Sequence, residues 1–277
     1  MKVMERVYRA ANGVVELTRF YVSDTAQPRT GKKKASTPRK QEANKNQAIH
    51  ILGRILNHNF SQGDIHVELT YDGKSFRALR SAAYASLPRG SREKKEIKRD
   101  AILDAAEDDA QRFIRRIRDA GAKACKYVLV PSDMDGTTGE EVRAHIHVIL
   151  SGKDFVYQDK RLTVRGSGRT LEDIWGRGMV LHEFLRRGSY NKLAAYLLRQ
   201  TRVWKNRKKY KCSRNMDRIE PEEYETSLTP SDDFQTPKGY RREEWQGGDS
   251  DHRAMQYARY VPEINNLDRK PTRRGKT

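Results

Sequence analysis

The run EVRAHIHVIL, Glu141 to Leu150, places two histidines one residue apart inside a stretch of aliphatic residues. Ten residues without glycine or proline, rich in β-branched side chains, read as a strand. Side chains alternate across a strand, so His145 and His147 leave one face while Ile146, Val148 and Leu150 leave the other. The aliphatic face has to be packed against something. The imidazole face is free to chelate.

The segments around this run alternate between strand and helix patterns. GVVELTRFYV, from Gly13 to Val22, reads as a strand, and the Gly/Pro/Ser/Lys-rich PRTGKKKASTPRK after it reads as a basic loop. From Lys40 onward, Ala48, Ile51, Leu52, Ile55 and Leu56 recur at helical spacing. In DIHVELTYDG, Ile65, Val67, Leu69 and Tyr71 share one face and His66, Glu68, Thr70 and Asp72 the other, which predicts a half-buried strand ending in an Asp-Gly turn. Ser91 to Ala120 carries Ile97, Ala101, Ile102, Ala105, Phe113, Ile114 and Ile117 among charges and closes on a glycine, predicting a long helix. KYVLV, a turn-rich loop and VRAHIHVIL then form a hairpin, followed by a short strand, RLTV. A helix start follows, capped by Thr170 and Asp173, and then the helix SYNKLAAYLLRQTR. Strands and helices alternate without the regular spacing of a parallel sheet, so an α+β fold is expected. Three parts are expected: residues 1–60 packing a strand, a basic loop and a helix on the next part; a domain over 61–219; and a loosely ordered polar tail over 220–277, where aliphatics thin out.

Charge narrows the partner. Lys and Arg number 56 against 37 Asp and Glu, a formal charge of +19, which suits a partner rich in phosphate. The N-terminal residues carry no apolar signal region and no run is long and apolar enough to span a bilayer, so a cytoplasmic location without membrane contact is expected. Cys125 and Cys212, the two cysteines, lie too far apart in sequence for a zinc ribbon or disulfide framework. TGKKKAS lacks the glycine spacing of a nucleotide-hydrolysing loop, so any motor must be borrowed. No His-x-Thr/Ser pair supports a paired-histidine phosphoesterase.

Three elements occur in a set order: HVELTY in an early strand, HIHVIL in a later one, and a helix containing AAYLLRQTR. Together with IWGRG ahead of that helix and SRN after it, they resemble the HUH endonucleases, specifically the rolling-circle replication initiators of small phages and plasmids. The resemblance covers roughly Val14 to Met216. It implies a central antiparallel sheet, related to the RRM fold, with the two motif strands side by side, helices behind it, and the tyrosine helix over the exposed face. It implies single-strand DNA nicking and joining with Mg2+ or Mn2+, through a covalent 5′-phosphotyrosine. Single-stranded or hairpin origin DNA, a host helicase and a host polymerase would be the partners, in a bacterial host cytoplasm.

Carried onto this chain, the resemblance makes Tyr196 the nucleophile, with Arg199 one turn away where the family has lysine, and Tyr190 a fallback. An arginine can stabilise phosphate but does not trade protons. Gln200 stands where some phage initiators have a second tyrosine, so a single-tyrosine mechanism is expected. His145 and His147 would hold the metal, with Asp133 as the first candidate for a third ligand and Glu68 and Glu141 as alternatives, because Mg2+ and Mn2+ favour oxygen. The chemistry needs such a set: charge neutralised on the phosphate, a stabilised leaving oxygen and an in-line nucleophile.

Basic residues read as DNA contacts include Lys32 to Lys34, the arginines at 112, 115, 116 and 118, and a cluster comprising Arg202, Lys205, Arg207, Lys208, Lys209 and Arg214, with Trp204 and Tyr210 available for stacking. Two other readings share these residues. One is a relaxase or transposase with the same chemistry; the other is a non-catalytic basic DNA-binding protein with structural histidines.

Overall fold

The computed structural model describes residues 2–22, 38–91, 94–201, 208–230, 232–246 and 255–263. In chain order these form β1 (Lys2–Arg9), β2 (Val15–Val22), α1 (Pro38–Asn59), β3 (Ile65–Leu69), α2 (Gly73–Ala85) and α3 (Lys95–Asp119). There follow β4 (Tyr127–Met134), β5 (Glu141–Leu150), β6 (Phe155–Gln158), β7 (Arg161–Val164), α4 (Leu171–Trp175) and β8 (Val180–Phe184). Then come α5 (Asn191–Arg199), β9 (Lys211–Cys212), β10 (Glu222–Glu225), β11 (Tyr240–Gln246) and β12 (Met255–Pro262). The protein is α+β: among the described residues there are five α-helices, two five-stranded antiparallel sheets and a separate hairpin, β6–β7. No described helix is long and apolar enough to cross a membrane.

The chain divides into two compact units, one from 1–58, 187–191 and 218–277 and the other from 59–186 and 192–217. In the first, the sheet order is β10-β1-β2-β12-β11, so the chain's C-terminal strands are interleaved with its N-terminal ones. Its centre is polar. Arg19 on β2 donates through Nε and Nη2 to Glu5 Oε2 (3.0 and 2.9 Å), through Nη1 to the Asp232 carbonyl (2.9 Å), and stacks on Phe234 at 4.4 Å. Helix α1 meets this sheet through Arg54, which lies 2.6 Å from Glu16 Oε2 and 3.8 Å above the Tyr8 ring.

The expectation of a loose tail over 220–277 is corrected for its described residues. Tyr257, Ala258, Tyr260 and Val261 of β12 are buried, and β12 pairs with both β2 and β11. Sparse aliphatics hid the strand because its apolar positions are largely tyrosine and alanine, and because its partner, β2, lies more than two hundred residues away. The three-part division is corrected with it: residues 1–58 join 218–277 in one unit.

The second unit holds the sheet β8-β3-β5-β4-β9. The expected hairpin is β4–β5, and the LTY strand, β3, lies directly beside the HIH strand, β5. Leu129, Ile146, Val148 and Leu150 face α3 and join Phe113, Ile114 and Ile117 in the main core, which is why β5 can present its histidines on the other side. The Asp-Gly pair after β3 does not make a hairpin turn. Asp72 instead caps α2, accepting from the Ser75 amide at 2.7 Å. Thr170 and Asp173 cap α4 reciprocally, as their spacing predicted. The Trp-Gly element is tied to the LTY strand: Trp175 Nε1 donates to the Thr70 carbonyl (2.7 Å), and a Cβ on Gly178 would stand 2.7 Å from the Asp72 nitrogen.

Candidate functional site

The strand register assembles an imidazole cluster on the face of the second sheet opposite α3. His147 on β5 lies between Glu68 on β3 and Val130 on β4, while His145 pairs with Ser132. Directly opposed residues of antiparallel strands point the same way, so Glu68 and His66, two residues back, share this face. His66, His145 and His147 are all buried, His147 completely.

Hydrogen bonding sets the tautomers. Glu183 Oε1 lies 3.0 Å from His66 Nδ1 and must accept, so a neutral His66 offers Nε2 as the acceptor for His147 Nδ1 at 3.1 Å. His147 Nε2 then carries a lone pair, and it is buried without a hydrogen-bond partner. Burial, followed by the His66 and His145 rings beside it, pushes the His147 pKa down to about 3, so this ring is neutral at physiological pH. His145 Nδ1 donates to the Arg143 carbonyl (3.1 Å), so its Nε2 also presents a lone pair, 3.3 Å from Gln200 Oε1. Two acceptors face each other there. A shared cation resolves that opposition, and so does an amide turned over to donate.

Helix α5 brings the phenol to this cluster. Ala194, Leu197 and Leu198 bury one side of the helix, and Tyr196 and Gln200, one turn apart, share another. Tyr196 is 42% exposed, and its ring centroid lies 5.7 Å from that of His147 and 6.4 Å from that of His66. The end of the helix is stitched to β4, since the Asp133 and Met134 amides donate to the Gln200 carbonyl and Thr201 Oγ1 donates to the Pro131 carbonyl. A cavity of about 470 Å³ opens between these parts, lined by Glu68, Thr70, Asp135, His145, Tyr196 and Gln200 among others. Gly136 lets the β4–β5 turn come close: a Cβ there would stand 2.9 Å from Gln200 Cγ.

No protein-family model, no curated protein and no solved structure matches this chain. The reading of the site therefore rests on its own geometry.

The expected residues divide as follows. His145, His147 and Tyr196 come together, and Glu68 lines the same cavity. Asp133 does not join them. Strand alternation turns it to the α3 side at a bulge between Ser132 and Met134, where Arg99 holds it through Nη2 at 2.6 Å. Glu141 is likewise engaged, by Lys95 (2.8 Å) and Arg99 (3.2 Å). Arg199 is exposed in the last turn of α5. Tyr190 falls in the first unit, 5% exposed, with its amide on Asn57 Oδ1. Lys209 turns inward and donates to the Leu198 and Thr201 carbonyls, closing the C-terminal end of α5. Lys208 and Arg214 are exposed, Tyr210 is half-buried, and Lys32 to Lys34, Arg202, Trp204, Lys205 and Arg207 lie outside the described residues.

Three residues of the cluster were not anticipated as site residues: His66, Gln200 and Asp135. Two left a signal, since His66 shares a strand face with Glu68 and Gln200 follows Tyr196 by four on a helix. Among the described residues no group of three or more His, Cys, Asp and Glu side chains is arranged to hold a metal ion. The groups that a divalent cation would take are therefore the two imidazole Nε2 atoms and the Gln200 amide oxygen, with Glu68 and Asp135 lining the approach. The orphaned lone pair of His147 fits such a cation.

Proposed function

We propose that this protein is a metal-dependent endonuclease of the HUH type, a rolling-circle replication initiator that nicks and rejoins single-stranded DNA through a 5′-phosphotyrosine. The observation that carries this reading is the half-exposed Tyr196 ring, 5.7 Å from a buried, neutral imidazole whose Nε2 lacks a partner.

When bound, a divalent cation supplies neutralisation of the phosphate and stabilises the departing oxygen. The rest falls to side chains. The Arg143 carbonyl takes up Nδ1 of His145, which lines the cavity, and the His66–Glu183 chain takes up Nδ1 of the buried His147 behind it, so each ring keeps its lone pair on Nε2. Tyr196 supplies the attacking phenolic oxygen: a bond forms from that oxygen to phosphorus, the bond from phosphorus to the 3′-oxygen breaks, and the proton lost by the phenol is balanced by the one gained by the 3′-hydroxyl. Arg199, one helical turn from Tyr196, adds fixed positive charge. The phosphotyrosine conserves a bond that the 3′-hydroxyl reopens in the joining step. The substrate is single-stranded or hairpin origin DNA, with a host helicase and polymerase as companions.

One observation favours the competing, non-catalytic reading: a cluster of three His, Cys, Asp or Glu ligands is not found among the described residues. Incubating the protein with end-labelled single-stranded origin DNA and Mg2+ or Mn2+ decides between them. The nuclease yields a protein–DNA adduct that survives denaturation, and a wild-type protein that binds the DNA without forming one is a binding protein only.

A further inference from the structure

On the other side of the second sheet lies a cavity of about 370 Å³ lined by Arg118, Lys123, Tyr127, Arg214 and Asn215. Tyr127 pairs with Leu150, whose side chain leaves β5 on the face opposite His145 and His147, so the sheet separates this cavity from the imidazole cluster. Among the described residues its lining carries three cationic side chains and no carboxylate.

The walls are held in place by the fold. Arg118, in the last turn of α3, donates from Nη2 to the Cys125 carbonyl (3.3 Å) and lies with its guanidinium carbon 5.2 Å from the Tyr127 centroid. The opposite wall follows β9, where Ser213 is clamped to Tyr127 by the backbone bond to its carbonyl (2.9 Å) and by the Tyr127 amide on Ser213 Oγ (3.1 Å). Asn215 Nδ2 donates to the Ala124 carbonyl at 2.9 Å. Lys123 and Arg214 are exposed and complete the positive lining. A guanidinium held by a carbonyl and an aromatic ring, two further cations and no acid among the described lining residues make the chemistry of a phosphate receptor.

We propose that Arg118, Lys123 and Arg214 form a second phosphate-binding pocket, remote from the imidazole cluster, that takes a phosphoryl group of a nucleotide ligand. The source is either a backbone phosphodiester of the DNA strand away from the reacting bond or the phosphate of a free mononucleotide. The pocket is independent of Tyr196 chemistry and does not need a metal.

The test uses the full chain carrying Tyr196→Phe, without divalent metal, so that a failure of the nuclease reading leaves it intact. Lys123→Gln with Arg214→Gln removes two exposed charges from the pocket; Lys153→Gln with Lys160→Gln removes two exposed charges elsewhere. Binding of labelled single-stranded DNA is followed by anisotropy across a salt series, and binding of inorganic phosphate and of dAMP by calorimetry. Loss of two single-strand phosphate contacts makes the salt slope shallower by about 1.4. That change in the pocket variant alone assigns the pocket to the DNA backbone. An unchanged DNA slope with phosphate and dAMP binding lost assigns it to a free nucleotide. Equal effects of the two variants on every probe, or no effect of either, overturn the proposal.

Discussion

His66 Nε2 lies 3.1 Å from His147 Nδ1, and Glu183 lies 3.0 Å from the other nitrogen of the His66 ring. This relay fixes which nitrogen of His147 keeps its lone pair, and it does so from β3 and β8, the two strands to one side of β5. Outer partners of this kind orient metal-binding imidazoles, and losing one weakens metal affinity about 10–100-fold. His66→Ala and Glu183→Gln are therefore expected to weaken Mn2+ binding by that margin, measured by calorimetry. Glu183 is largely exposed, so Glu183→Gln should leave the melting temperature unmoved while the metal affinity falls.

Tyr196→Phe is expected to abolish the covalent DNA adduct and leave DNA binding intact. Tyr190→Phe should retain the adduct, because Tyr190 is buried in the first unit. Denaturing gels of the two variants beside wild type read the outcome; an adduct in Tyr196→Phe moves the nucleophile elsewhere.

Gln200 separates ligation from packing. With its amide oxygen 3.3 Å from His145 Nε2, Gln200→Glu should retain or tighten Mn2+ binding, since a carboxylate is a stronger ligand for a hard cation, while Gln200→Ala should lose it. Gly136→Ala should act like a weaker Gln200→Ala, because its methyl would come within 2.9 Å of Gln200 Cγ and displace that side chain. Electron paramagnetic resonance of bound Mn2+ orders the three variants.

The first unit depends on a buried ion pair. Removing Arg19 as Arg19→Met leaves Glu5 buried without its cation, a loss of roughly 3–5 kcal/mol. Urea denaturation should show it. Ending the chain at residue 219 should unfold the same unit, since β12 is an interior strand between β2 and β11.

The thiols give a pH signature. Burial pushes the Cys125 pKa from an ordinary 9.0 up to about 11, and burial pushes Cys212 to about 11 as well. A raised pKa means that the folded state holds the proton more tightly. The associated stability is whole below pH 9.0 and is lost as pH rises from there through about 11, on the order of 2 kcal/mol for Cys125. Denaturant midpoints measured across that window should fall. Thiol reagents at mildly alkaline pH should label Cys125 only slowly until the protein is unfolded.

Much of the second unit was legible in the sequence because its signals are local. Alternation in HIHVIL put both imidazoles on one face, period 3.6 marked α3 and α5, and the Thr170–Asp173 spacing marked the cap of α4. Register is not local. Whether Asp133 or Ser132 faces His145 depends on a bulge that only strand pairing reveals, and the pairing turned Asp133 to Arg99.

What the amino-acid sequence determined by itself, then, was the strongly periodic elements, among them β3, β5, α1, α3 and α5, and the side of each that is apolar, because both follow from backbone periodicity over a few residues. Which distant strands pair, and so how His66 meets His147 and how β12 comes to lie beside β2, was decided by tertiary structure. Burying apolar faces and matching hydrogen bonds across the whole chain leaves few arrangements open, and no short segment carries that information.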